Sequence, residues 1–280
     1  MHNPQVPESL EGWSVLHLMY RVDWARLMAL PPATLAAMTQ EATDALNLGL
    51  PAADAGATAL VQLLGHKGDL MVIAFRRSFD DLGRLQLALS RTKLAEYLTM
   101  TTSYVSIVEL GMYEMTAKVH RTLREQGLEH GTDAYNTAFD AEMDRQRQRV
   151  GGRLFTPVPP GRHVCFYPMN KRRGEVHNWY SEGFDRRSEM MLEHGKVGRE
   201  YAGRVTQIIS GSIGFDDWEW GVDLFAADPL TFKKLIYEMR FDEASAKFAE
   251  FGPFYTGLHF SASQLGTFLD GQVPSLLPPS

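Results

Sequence analysis

A single cysteine, Cys165, stands among 280 residues, so no intrachain disulfide can form and no multi-thiolate zinc or iron–sulfur site can be assembled. No run approaches the roughly 18 apolar residues of a membrane span. The opening segment MHNPQVPESLEGW lacks both the basic and the apolar region of a secretory leader. A soluble protein of a reducing, cytoplasmic compartment is expected, without membrane contact. Strong net charge is missing too: 28 Lys and Arg against 34 Asp and Glu leave −6, which argues against nucleic acid as a partner. No P-loop, GxGxxG fingerprint, GxSxG elbow or HExxH helix occurs, which removes several large enzyme classes. The nine histidines include no i, i+4 pair, so a multi-histidine metal site would have to come from distant segments.

What remains is an ordinary globular composition, 44% hydrophobic and 22% charged, with room for two units at about 150 residues each. Charge is distributed unevenly. From Arg145 to Arg204 there are 13 Lys and Arg against 6 Asp and Glu, which suits either a solvated basic face or an anionic ligand met locally. An internal repeat is also present. Met19-Tyr20-Arg21 and Met169-Asn170-Lys171 lie 150 residues apart, Phe75 and Phe225 end apolar runs at the same offset, and KLAEY (93–97) echoes KFAEF (247–251).

Each copy reads with the same order of elements. In the second, HVCFYPM (163–169) has strand composition and 184–199 has helical spacing. RVTQIIS (204–210) and WEWGVDLF (218–225) form a hairpin, and a helix opens at Asp228-Pro229. The strand FYTGLHF (254–260) ends the unit. The first copy runs in parallel, from SVLHLMYRV through a helix over 24–47 interrupted at Pro31-Pro32, ATALVQLLG, LMVIAFR and a helix over 79–91 to SYVSIVEL. This β-α-β-β-α-β order predicts an α+β chain of two tandem ferredoxin-like domains. The expected boundaries are 1–117 and 153–280, with a partly helical connector over 118–152 that ends at Gly151-Gly152.

One histidine stands out. His194 shares its helical stripe with Met190, Val197 and Tyr201, where it is either a core histidine or a single axial ligand to a porphyrin iron. His130, in the other LEHG tetrapeptide (128–131), is the competitor. Alternation puts Cys165, Tyr167, Met169 and Lys171 on one strand face, and Gln207 with Val205 and Ile209 on another. Phenol, amide and ammonium groups facing inward from apolar strands need partners, either within the fold or in a ligand. A flat iron-bearing molecule with several carboxylates would fit them.

The stretches YPMNKRRGEVHNWY (167–180), SEMMLEHGKVGREY (188–201) and RVTQIISGSIGFDDWEWGVDLF through FGPFYTG (204–257) closely resemble the coproheme decarboxylases of the chlorite dismutase-like family. The likeness is specific over about 150 to 260 and looser over the first half. It implies a dimeric α+β barrel-like subunit, a haem site in the C-terminal domain only, a homopentameric ring and transient contact with ferrochelatase. Residue by residue, it implies His194 as iron ligand, Tyr167 as the residue that becomes a radical, and Gln207 as the distal glutamine, where chlorite-degrading members carry arginine. It further implies Arg153, Met169, Lys171 and Ser245 as contacts to the substrate, with Lys171 assisting the chemistry.

The implied reaction converts two of the four propionates of iron coproporphyrin III to vinyls with hydrogen peroxide as oxidant, giving haem b. An unactivated β C–H bond is out of reach of acid–base chemistry, so the iron must supply the oxidising power and the protein the orientation. Arg153 and Lys171 would offset the substrate's carboxylates, while Gln207 cannot act as an acid or base. Two alternatives stand beside this: a haem carrier or sensor without catalysis, and chlorite dismutation. The hydrogen-bond partner of His194 is not legible in the sequence.

Overall fold

The computed structural model describes residues 6–48, 50 and 56–276; the first five residues of the opening segment lie outside this set. In the first half, β1 (Ser9–Val22) is followed by α1 (Trp24–Met28), α2 (Pro32–Leu46), β2 (Gly56–Leu63), β3 (Leu70–Arg76), α3 (Phe79–Ser90) and β4 (Leu98–Gly111). Two helices come next, α4 (Tyr113–Glu125) and α5 (Asp133–Leu154). The second half comprises β5 (His163–Lys171), α6 (Phe184–Glu200), β6 (Thr206–Gly211), β7 (Trp220–Ala226), α7 (Leu230–Met239), α8 (Glu243–Phe248), β8 (Ala249–Phe251) and β9 (Tyr255–Phe260). A short helix, α9 (Leu265–Leu269), follows.

The interruption expected at Pro31-Pro32 separates α1 from α2, with Pro32 at the first helical position, where its missing N–H costs nothing. The Gly151-Gly152 pair, in contrast, does not stop α5. The helix runs on to Leu154, which is buried and packs its carbonyl against Gly12 of β1. Tertiary contact there outweighs the low helix propensity of glycine.

All strand pairings are antiparallel. The first half has the order β4-β1-β3-β2 and the second the order β9-β5-β7-β6, which is the ferredoxin-like arrangement twice. Pairing of β2 with β9 and of β4 with β6 joins the two sheets into a closed eight-stranded ring, and β8 extends the β9 side along the end of β5. The fold is thus the pair of ferredoxin-like units that the element order predicts, closed into the α+β barrel that the family resemblance implies.

Closure gives every strand an inner and an outer face. Trp13, Val15, Met19, Ile73, Phe75, Val164, Phe166 and Phe225 fill the interior. There His17 of β1 and Asp223 of β7, both fully buried, meet at 3.0 Å, and the imidazole stacks on Phe166 at 4.0 Å. Removing one member of such a pair strands the other in a dry core, at about 3–5 kcal/mol, so this contact ties the halves together. Outside, α2, α3 and α9 seal the first half over Leu16, Leu18, Leu60, Val72 and Phe260. The second half's outer cluster contains Cys165, Tyr167, Val222 and Leu224, packed with Tyr201 of the turn after α6 and Leu235 of α7. Among the described residues no helix is long and apolar enough to cross a membrane.

Candidate active site

The outer face of the second half carries most of the residues singled out in the sequence. On β5, side chains alternate as expected: Phe166 points into the barrel, while Cys165 and Tyr167 point outward. Register then places the rows. Cys165 pairs with Leu224 and Leu224 with Gln207; Tyr167 pairs with Val222 and Val222 with Ile209; Met169 pairs with Trp220 and Trp220 with Gly211. Gln207 and Tyr167 therefore share one face, with β5 and β6 about 10 Å apart across β7. A flat macrocycle can span that distance.

Gln207 lies on the expected face but is not enclosed. It is exposed, and so is its neighbour Ile209, because the helices of this half cover β5 and β7 more fully than β6. Tyr167, by contrast, is buried, stacked on Phe254 at 4.7 Å with Phe251 at 5.7 Å. Burial pushes its phenol pKa well above the ordinary value, and the neighbouring Cys165 adds to the shift. The phenol is therefore held neutral.

His194 faces the start of α8. Its Nδ1 lies 2.9 Å from Asp242 Oδ2, which leaves Nε2 as the nitrogen available to a metal. Asp242 also caps α8, accepting from the Ser245 backbone N–H at 2.9 Å and from the Ser245 hydroxyl at 3.0 Å. Burial alone would raise the Asp242 pKa, but the hydrogen bonds and charge of His194, with those of Ser245, hold it below the usual carboxylate value. The sequence missed Asp242. It lies 48 residues beyond His194 at the cap of a helix too short to show periodicity, and the FDE run that contains it reads as an ordinary helix start.

Lys171 reaches the same spot from the sheet. Its Nζ donates to the Ala244 carbonyl at 3.1 Å and lies 4.3 Å from the centre of the buried Trp179 ring. Burial lowers its pKa to about 8, with Asp242 and Glu219 opposing the shift. Asn170, on the other face, accepts from the Glu219 backbone N–H at 2.8 Å, while the Lys171 backbone N–H donates to the Glu219 side chain at 2.7 Å; this anchors the end of β5.

Lys171, His194 and Ser245 thus meet at Asp242 and Ala244 at the start of α8, beside the β5 row that carries Tyr167 and Met169, with Gln207 on the open β6 side of that face. Arg153 is the exception. It is exposed in the last turn of α5, outside this group. His130 falls elsewhere, exposed and packed edge-on to Tyr135 at 5.0 Å beside His120. An imidazole braced by a carboxylate and flanked by ammonium and hydroxyl groups, on the half whose sheet face carries a neutral phenol, is a donor set that can hold an iron porphyrin near an oxidisable residue.

Known proteins resemble this chain along most of its length. The family model described as Chlorite dismutase matches residues 35–260. A coproheme decarboxylase of Staphylococcus saprophyticus is 41% identical over 256 residues, covering 91% of this chain and 94% of that protein. A protein of Natronomonas pharaonis, described as a "putative heme-binding protein", is 43% identical over 269 residues; the match takes in 95% of this chain but only 42% of that longer protein. Among solved structures, a heme-binding protein from Thermus thermophilus superposes with a TM-score of 0.81 at 39% identity, covering 96% of this chain and all of that one.

Proposed function

The chain belongs to the chlorite dismutase family, and from that premise we propose that it is a haem synthase, converting two propionates of iron coproporphyrin III to vinyls with hydrogen peroxide. The observation that carries this reading is the grouping of His194, Asp242, Ser245 and Lys171 beside the β5 row that holds Tyr167. The iron arrives with the substrate and supplies the oxidising power drawn from peroxide.

The residues do the rest. His194 holds the iron through Nε2, and its Nδ1–H, donated to Asp242, strengthens the imidazole as a ligand. Tyr167 gives up an electron and its phenolic proton, then takes the β hydrogen of a propionate. The substrate returns one further electron to the metal centre, and carbon dioxide departs as the vinyl forms. Each round consumes one peroxide and one proton and releases one carbon dioxide and two waters. Aromatic packing by Phe251 and Phe254 keeps the phenol in a single orientation, so that it addresses one carbon.

Lys171 offsets a propionate and assists the second round. Ser245 and Met169 line the same rim, and Arg153 reaches a carboxylate only if the α5 end moves as the ligand binds. Gln207 presents a neutral amide to the open side, so peroxide activation is slow. The relative from Natronomonas pharaonis and the Thermus structure, both named for haem binding, favour a second reading, a haem carrier without catalysis. A homopentameric ring in the cytoplasm, visited by ferrochelatase, completes the proposal, and sedimentation analysis tests its oligomeric part.

Mass spectrometry of the pigment separates the readings. After two equivalents of peroxide, bound iron coproporphyrin III should lose the mass of two formic acids. An unchanged mass, with tight haem b binding through His194, would favour the carrier.

A further inference from the structure

The first half of the barrel sends a carboxyl group onto the outer face of the second. Glu109 lies near the end of β4 alongside β6, where Ile107 pairs with Gly211 and Val108 with Ser210. Its Oε1 accepts from the Trp220 indole N–H at 2.6 Å, and a Cβ placed on Gly211 would fall 2.1 Å from its Oε2. Gly211 follows Gln207 and Ile209 at two-residue steps along β6, so its missing side chain would point to the face they occupy. Trp220 precedes Val222 and Leu224 on β7 at the same step. The Glu109 carboxyl therefore fills the slot that Gly211 leaves empty, on the face that carries Gln207, Tyr167 and Met169.

The groups facing it come from three elements. Glu11 lies opposite on β1, the Tyr113 phenol stands at the start of α4, and Arg187 of α6 lies beyond that phenol. Burial, and secondarily Glu11, raise the Glu109 pKa, while the Trp220 hydrogen bond works the other way. A ligand with four carboxylates adds more negative charge. Lys171, a buried cation of the site, lies on the β5 side, two strands away from this edge. Two carboxyl groups brought together in a partly dry site cannot both stay ionised.

We infer that Glu109 is a substrate-binding group contributed by the first half of the barrel, which takes up a proton when the macrocycle arrives and donates it as a hydrogen bond to one of its carboxylates. This rests on the substrate proposed above. It also explains why residue 211 is glycine: any side chain there would turn the carboxyl away.

The test is a titration of ferric coproporphyrin III into wild type, Glu109→Gln and Gly211→Ala in weak buffer near neutral pH, following the Soret band and, with an indicator dye, the protons taken up. Glu109→Gln keeps an oxygen for Trp220. Gly211→Ala keeps Glu109 but swings its flexible tip aside. Wild type should take up about one proton per ligand more than either variant. Equal proton counts in wild type and either variant, with the Soret shift intact, would overturn the role of Glu109 alone. No Soret shift in wild type would instead bring down the substrate reading, and this inference with it.

Discussion

The two halves of the barrel share one architecture and put their outer faces to different uses. In the first half, Val72 of β3 is flanked by Leu18 and Leu60; in the second, Val222 of β7 is flanked by Tyr167 and Ile209. Leu18 is 1% exposed and Leu60 is 0%, whereas Ile209 is 38% exposed beside the buried phenol. The next row repeats the contrast, with Thr58, Ala74 and Leu16 against Gln207, Leu224 and Cys165. A row of aliphatic side chains sealed by helices contributes stability. The same row carrying a phenol and an amide, open along β6, gives up packing and leaves polar groups accessible, as the proposed substrate site requires.

That contrast can be broken first at its centre. Replacing Tyr167 with Phe should abolish vinyl formation while leaving melting temperature and porphyrin affinity close to wild type, as mass spectrometry and a Soret titration would report. Its counterpart Leu18→Ala should do the reverse: a loss of about 2–5 kcal/mol in denaturant unfolding, with normal turnover per folded molecule. A smaller effect is expected at Lys171. Its pKa falls from 10.5 when unfolded to about 8 when folded, so the unfolded chain binds more protons between those values and stability rises with pH across that window. Lys171→Met should flatten the rise and stabilise the neutral-pH protein by roughly 3 kcal/mol, measured as unfolding free energy against pH. Smallest of all, Asp242→Asn should weaken iron-porphyrin affinity or activity roughly 10–100-fold with little change in folding.

Much of this was legible in the sequence. Strand alternation put Cys165, Tyr167, Met169 and Lys171 on one face, and helical spacing put His194 in the apolar stripe of α6, because both patterns are local. The repeat was legible as well, though slightly out of step. Met19 and Met169 look equivalent at an offset of 150, yet pairing makes Tyr20 the counterpart of Met169: Tyr20 pairs with Leu70 where Met169 pairs with Trp220. A one-residue slip in a strand moves a side chain to the opposite face, so Met19 is inside the barrel and Met169 outside. What stayed hidden depends on tertiary approach. Asp242 meets His194 through a short helix, Gln207 is open because of where the helices stop, and Glu109 crosses from the other half through the space left by a glycine.

The most direct measurement of the central claim is an electron paramagnetic resonance spectrum of the iron coproporphyrin III complex, frozen within a second of adding peroxide. A tyrosyl radical in wild type that is absent in Tyr167→Phe, with the tetrapropionate mass unchanged in that variant, is the predicted result. An equal radical signal in Tyr167→Phe, or full conversion to haem b by that variant, would contradict it.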